Sequence, residues 1–467
     1  MDECEVALKR KGGDFEAMAQ ERLTELLPSR LNPTRIDSCI HHTNPERRLL
    51  LELAGGMEVD LPVGFIPNGE APETRSTLRK MYVKAHLAVD CMFYAIYTQG
   101  LAFLLKTDTA LKVKGVHFSP AHWAKKAEKA CGRPIIDSTD ANSRYPVLNT
   151  EEVSDMARAR WGEIVHPTIE DFILMIIGFV ERQPGLTMAD VDPWKTDLRG
   201  AYTMMSFKAS NCMKFAVELV GGTMIIFLCR LFGWSSTPAA FQVITRAIIF
   251  ELGRILLGMA LMYIDDIVGI SKRSELQHDL DAARGVCTTL LGKHAVQDDK
   301  TLFTTDKERR LAVIGYTIDL EKQVVTMSRR NLLKNMYLFF STDTDRAVTV
   351  ATMETIAALA SRYSIICREM RPFSKALHGS FKGLTNERVS FRLKEDAVRS
   401  IEMWRAMLCM LAFDEVRFAR PFDSFGARTA NITIQFDASL EGAGFVIYKR
   451  HPISGVESIL GLQWCLY

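Results

Sequence analysis

Two adjacent carboxylates, Asp265 and Asp266, interrupt the apolar run "MALMYIDDIVGIS". Ionised aspartate is almost never buried without a partner, so water at a hairpin tip, a basic side chain or a metal ion must balance this charge. Neighbouring residues on a straight strand point to opposite faces, so both acids cannot face one core. A tight turn between "LMY" and "IVGI" would project both from a hairpin tip. Seen alone, an Asp-Asp pair is most often a plain exposed turn. A third acid changes that balance: Asp197 interrupts another strand-like segment, "WKTDLRGAY". Carboxylates gathered on neighbouring strands raise each other's pKa unless a cation sits among them. Oxygen-only ligands suit Mg²⁺ or Mn²⁺. Two such ions, about 3.5–4 Å apart, can activate an attacking hydroxyl and stabilise a leaving oxygen in phosphoryl transfer. The chemistry depends on Asp197 lying within a shared cation's reach of Asp265. A hydrogen-bonded lysine or arginine filling the gap instead of the cation would rule it out.

The elements that must position these acids are legible in outline. From Lys195 to Ser328 the order reads strand, hairpin, helix, hairpin, helix, strands, an α+β layer with helices on one face of an antiparallel sheet. Gly221-Gly222 is a turn dipeptide between β-rich arms, and Phe241, Ile244, Ile248 and Ile255 keep one helix face apolar. Ser274 begins S-x-x-Q, a capping-box form, ahead of a helix that Gly292 can end. "RLAVIGYTIDLEKQVVTMS" reads as a further hairpin. Upstream, residues 1–75 read as a helical or partly ordered extension of unassigned role, and Thr77 to Leu105 has helical spacing. The basic cluster Lys125, Lys126, Lys129 and Arg133 reads on its own as a solvated helix face, with the apolar "PIID" after it as a strand entering a core. Residues 138–190 suggest two helices, the second capped by Thr168. Residues 329–425 are mostly helical, and a new strand pattern starts at Ile432.

The chain has 467 residues, 48% hydrophobic and 24% charged, a globular profile long enough for several subdomains. Its net charge of +2 excludes a global basic field, so any polyanion site must be local. Ten cysteines without a C-x-x-C pair signal neither a disulfide framework nor zinc. No secretory signal or membrane span is apparent, so an intracellular location, cytoplasmic or nuclear, is expected, with no membrane partner. His41-His42 near Cys39 lacks the remaining ligands of a zinc site, and His117 and His122 read the same way.

Taken together, the motifs resemble those of a reverse transcriptase. "YIDDI" is similar to the family's Y-x-D-D hairpin, "KTDLRGAY" to its first acidic motif and "LFGWSSTPAAFQ" to the turn and helix between them. "KKAEKACGRPIID" resembles its fingers segment, "QDDKT" its later lysine motif and "VIGYTIDLEKQVVTMS" its primer-gripping hairpin. The resemblance runs from about Trp123 to about Met410. The "FGWSSTPAAF" wording and "RPFSKALHG" look closest to DIRS-like or LTR retrotransposon polymerases.

The resemblance implies a right-hand polymerase fold: an extension over 1–75, fingers with a helical insertion over 76–190, a catalytic palm over 191–328, and a helical thumb or connection over 329–425. It implies two-metal synthesis of DNA on an RNA or DNA template, with a DNA primer and dNTPs. Asp197 and Asp265 would ligand two Mg²⁺ or Mn²⁺ ions, with Asp266 beside them and the Leu198 carbonyl as a further ligand. Tyr202 would fill the space a ribose 2′-hydroxyl needs. Arg133 and a lysine such as Lys126 would hold the triphosphate, Phe232 and Gly233 would border the nucleotide pocket, and Lys300 would serve as general acid to the leaving pyrophosphate. "FDASLEGAGFVIY" resembles the start of a ribonuclease H domain, making 426–467 a truncated fragment. Asp437 alone would not hold two ions, so no ribonuclease H activity is expected. A decayed retroelement remnant that binds nucleic acid without catalysis remains open, as does an RNA-dependent RNA polymerase. The oligomeric state is not fixed by the sequence.

Overall fold

The structure is a computed structural model that describes residues 2–70, 80–126, 129–139, 147–303, 309–384, 386, 388–414, 416–425, 432–438, 442–450 and 457–466. The chain divides into two compact units, Met1–Arg420 and Pro421–Tyr467.

The first unit opens with four helices, α1 (Asp2–Arg10), α2 (Phe15–Leu26), α3 (Pro33–Cys39) and α4 (Arg47–Ala54). Asp14 and Asn32 cap α2 and α3 by accepting from the backbone N–H of Ala17 and Arg35. The helical periodicity read over residues 77–105 holds through α5 (Lys80–Thr98) and then gives way to strand β1 (Ala102–Lys106), which the short α6 (Thr107–Ala110) follows. The basic cluster is a hairpin and not a helix face: β2 (Ala121–Lys126) pairs antiparallel with β3 (Lys129–Ile136). Two helices follow as expected, α7 (Glu151–Trp161) and α8 (Ile169–Glu181), the latter closed by a capping box between Thr168 and Asp171.

The central sheet has the order β7-β8-β4-β9, built from β4 (Val191–Asp197), β7 (Met259–Tyr263), β8 (Asp266–Lys272) and β9 (Leu302–Phe303). Between β4 and β7 come α9 (Ala209–Cys212), the hairpin β5 (Ala216–Leu219) and β6 (Thr223–Phe227), and α10 (Ser236–Ile255). The hairpin turns at Gly221 and Gly222, both at positive φ, which glycine adopts without steric cost. Helix α11 (Leu276–Leu291) starts later than the S-x-x-Q pattern suggests: its N-cap is Glu275, and Ser274 forms no capping box. A meander, β10 (Arg310–Val313), β11 (Tyr316–Asp319) and β12 (Val324–Met327), then leads into α12 (Arg329–Ser341), α13 (Val350–Tyr363), α14 (Arg371–Gly379) and α15 (Glu395–Phe413).

Burial shows what supports the sheet. One apolar core gathers Trp194, Leu198 and Ile267 from the sheet with Phe241, Ile244 and Ile248 of α10 and Leu290 of α11. Ile36, Leu50 and Leu53 belong to the same core, so α3 and α4 are integral to the sheet's support. A second core joins Phe15, Met18 and Leu23 of α2 to β1, β5 and β6. Trp194 is wholly buried opposite Gly269, where a Cβ would stand 2.2 Å from the indole. In the second unit, strands Ile432–Ala438, Gly442–Arg450 and Glu457–Leu466 form an antiparallel sheet. The side chain of Asp437 lies outside the described residues. No helix among the described residues is long and apolar enough to cross a membrane.

Candidate metal centre and nucleotide pocket

The three acids meet because the strands bring them into register. β7 and β8 pair Tyr263 with Asp266, leaving Ile264 and Asp265 as the tip. Ile264 stands at φ 56°, a region β-branched residues rarely occupy. On its other edge β8 pairs with β4, placing Asp266 opposite Asp197. The Leu198 N–H donates to the Asp265 carbonyl at 2.9 Å, tying the end of β4 to that tip. One carboxylate oxygen from each of Asp197, Asp265 and Asp266 lies within 4.8 Å of the others.

Two lysines approach the cluster. Lys195 Nζ donates to Asp266 Oδ2 at 2.7 Å, and Lys300 Nζ is paired with Asp197 Oδ2. Neither contact satisfies the whole site. Asp197 Oδ1 is buried and has no hydrogen-bond partner among the described residues, and an unpaired buried polar atom costs about 1–3 kcal/mol. Burial pushes the Asp265 carboxyl upward in pKa, and the charges of Asp197 and Asp266 push it further. Three carboxylates against two ammonium groups leave one uncompensated negative charge. The Leu198 carbonyl accepts no hydrogen bond among the described residues, so it is open as an additional oxygen ligand. An oxygen-only donor set with an orphaned buried oxygen and residual negative charge suits a hard divalent cation.

Beside the acids, Tyr202 sits on a short 3₁₀ turn, Ala201–Met204, entered through Gly200 at φ 63°. Its buried ring packs against Phe232 at 4.7 Å and Phe241 at 5.6 Å between centroids, while Phe232 is 41% exposed. Gly233 has φ +117°, and a Cβ there would lie 1.7 Å from the Ile136 carbonyl oxygen, so no other residue fits this approach. The Ile136 N–H donates to the Phe232 carbonyl at 3.1 Å. The β2–β3 hairpin is thus docked on the Phe232-Gly233 turn. Lys126 and Arg133 lie on that hairpin, and their side chains fall outside the described residues.

Sequence reasoning missed two residues. Lys195 lies two positions before Asp197, and the two-residue period of a strand puts both on one face, so that signal was present. Asn149 had no such signal: its Nδ2 donates to the Gly233 carbonyl at 2.6 Å and its Oδ1 accepts from the Ser235 N–H at 2.8 Å, clamping the turn from a distant loop.

The sequence matches no protein-family model and no curated protein. Solved structures do resemble it. A foamy viral protease-reverse transcriptase in complex with double-stranded DNA aligns with a TM-score of 0.51 at 12% identity, over 96% of this chain and 68% of that one. The same viral protein with an RNA/DNA hybrid gives 0.50 at 13% identity, over 96% and 52%. A further complex with double-stranded DNA gives 0.50 at 13%, over 96% and 80%. The fold is therefore reverse-transcriptase-like, a mixed helix and sheet architecture. Within it, this chain carries a carboxylate cluster suited to a divalent metal.

Proposed function

We propose that this chain is a nucleic-acid polymerase that synthesises DNA on an RNA or DNA template, with its central sheet in the role of a palm. The observation that carries this reading is the convergence of Asp197, Asp265 and Asp266 at the end of β4 and the tip of the β7–β8 hairpin. Asp197, Asp265 and the Leu198 carbonyl would hold two Mg²⁺ or Mn²⁺ ions, with Asp266 at the edge of the site. Those ions would supply Lewis-acid activation of a primer hydroxyl and neutralise charge on a leaving pyrophosphate.

The chain's own groups divide the remaining work. Lys300, paired with Asp197, would deliver a proton to the leaving group as general acid. Lys195 holds Asp266 through one oxygen. Tyr202, wedged between Phe232 and Phe241, presents a rigid wall that would exclude a ribose 2′-hydroxyl and favour dNTPs. The strands bearing Lys126 and Arg133 are docked at the Phe232-Gly233 turn, which suits them to hold a triphosphate by charge-assisted hydrogen bonds. On this reading the activity would belong to a retroelement polyprotein, with fingers, palm and thumb in the order 76–190, 191–328 and 329–425, a reading supported by the motif resemblance to retrotransposon polymerases.

Extension of a DNA primer on an RNA template with Mg²⁺ tests the reading. Product should form with dNTPs, vanish in Asp265→Asn, and admit ribonucleotides in Tyr202→Ala. A wild-type chain that extends no primer refutes it. The lysine contacts on Asp197 and Asp266 favour a second reading, a nucleic-acid binder whose acids are neutralised internally. Salt-sensitive duplex binding with no extension would support that alternative.

A further inference from the structure

A cleft of about 480 Å³ lies where four chain segments meet: the stretch from Leu26 to Arg35, Gln99 and Leu101 just before β1, the Arg199–Met204 turn after β4, and the residues that end and follow α11, Leu291 to Ala295. Its walls are tightly built. Arg35 donates to the Thr289 carbonyl at 2.8 Å, near the C-terminus of α11, to the Thr288 carbonyl at 3.3 Å, which also accepts from the Gly292 N–H, and to the Pro28 carbonyl at 2.7 Å. Gly292 is pressed so closely on the N-terminal segment that a Cβ would stand 2.5 Å from the Ser29 carbonyl oxygen. Arg30 is buried in the wall and donates to Ser206 Oγ at 2.8 Å.

The lining is one-signed. Arg30, Arg35, Arg199, Lys293 and His294 face the cleft, and no aspartate or glutamate is among its lining residues. Arg30 and Arg35 are occupied in holding the walls. Arg199 and Lys293 are exposed and form no ion pair among the described residues, so their charge is available to a ligand. Arg199 follows Asp197 by two residues, which places their Cα atoms within about 7 Å. The Arg199 N–H donates to the Ala295 carbonyl at 2.7 Å, which holds the Lys293-His294 loop against the same strand end.

We infer that this cleft is a binding site for inorganic pyrophosphate, a holding point for the anion that nucleotidyl transfer releases beside Asp197. The inference rests on the polymerase reading for the source of its ligand. An extended nucleic-acid backbone fits less well, because its binding surfaces are basic stripes tracking many phosphates, whereas the exposed basic side chains without an ion pair here, Arg199 and Lys293 among the described residues, converge on one cleft. Pyrophosphate concentrates its charge in a compact shape that Arg199 and Lys293 can bracket with charge-assisted hydrogen bonds. The N-terminal segment thereby gains a role: through Arg35 and Ser29 it forms one wall of the cleft.

Calorimetric titration of sodium pyrophosphate into the full chain, without divalent ions or nucleic acid, tests the site. Saturable one-to-one binding is expected, weakened tenfold or more in Arg199→Ala/Lys293→Ala and largely retained in the charge-preserving Arg199→Lys/Lys293→Arg, with unchanged thermal unfolding confirming both folds. Absence of binding, or equal affinity in the alanine variant, overturns the inference. So does a loss of duplex affinity in that variant with pyrophosphate binding intact, which would assign the cleft to a nucleic-acid backbone. Because binding is read without turnover, the expected titration supports the cleft even in a chain that extends no primer, and its failure refutes the cleft even in one that does.

Discussion

Strand β4 carries a carboxylate near each end, and the two are equally buried: Asp192 and Asp197 are each 4% exposed. Their surroundings differ. Asp192 has a cation on both oxygens, Arg273 Nε at 3.0 Å and Arg309 Nε at 3.5 Å. Asp197 has a lysine on one oxygen and, among the described residues, no hydrogen-bond partner on the other. The guanidinium is permanently charged and geometrically matched to a carboxylate, so the Asp192 end is closed. The ammonium of Lys300 is a flexible point charge that another cation can displace. Depth alone therefore does not separate a structural acid from a functional one on this strand; completeness of pairing does. Asp279 reinforces the point: it is wholly buried and accepts from the N–H groups of Leu257 and Gly258 at 2.9 Å and from Ser271 Oγ at 2.5 Å.

The contrast can be broken by exchanging the consequences of mutation. Asp197→Asn should lower primer extension on the order of 10³-fold, the scale of several kcal/mol of lost metal-centred stabilisation, with little change in melting temperature. Comparable extension by this variant would remove Asp197 from the site. Asp192→Ala should do the reverse, costing about 3 kcal/mol in denaturant unfolding by stranding partly buried arginine charge, while activity per folded molecule persists. Sharpening comes from ion binding. Mg²⁺ at a hundred times its Kd should stabilise wild type by about 2.7 kcal/mol, and should leave Asp197→Asn unmoved while still acting on Asp192→Ala.

The smallest effect concerns pH. Asp265 is raised in pKa, so without ions the folded state holds this proton more tightly than the unfolded chain. Stability then falls as pH climbs from the ordinary carboxylate range through the raised value, and levels off above it. Asp265→Asn should flatten this part of the profile and raise the melting temperature of ion-free protein at neutral pH, while abolishing extension. A lower melting temperature would show that the acid is not held under repulsion.

How much of this could be read beforehand depended on the range of the interaction. The acids were legible because each breaks an apolar strand pattern, and the local turn at Asp265 already demanded a hairpin. Tyr202 and Gly233 followed from short motifs, and the structure puts them at Phe232 and Ile136 respectively. The basic cluster was misread because a run of lysines carries no period that separates helix from hairpin; the pairing of Ala124 with Arg133 decides it. Ser274 was misread because capping-box spacing is necessary and not sufficient, and the chain starts its helix after Glu275. Asn149 and Arg35 act across long sequence separations through contacts that only the folded chain creates. The extension over residues 1–75 read as helical or partly ordered with no assigned role, and Leu50 and Leu53 share a core with Ile244.

The packing of Trp194 against Gly269 carries an evolutionary corollary. With the indole nitrogen fixed on Ser271 Oγ at 2.8 Å, the ring cannot swing away from a methyl group placed 2.2 Å from it. Drift at either site is therefore conditional on the other. A lineage could gain a side chain at position 269 only after the tryptophan had shrunk, so descendants of this chain should inherit the two positions as a linked pair.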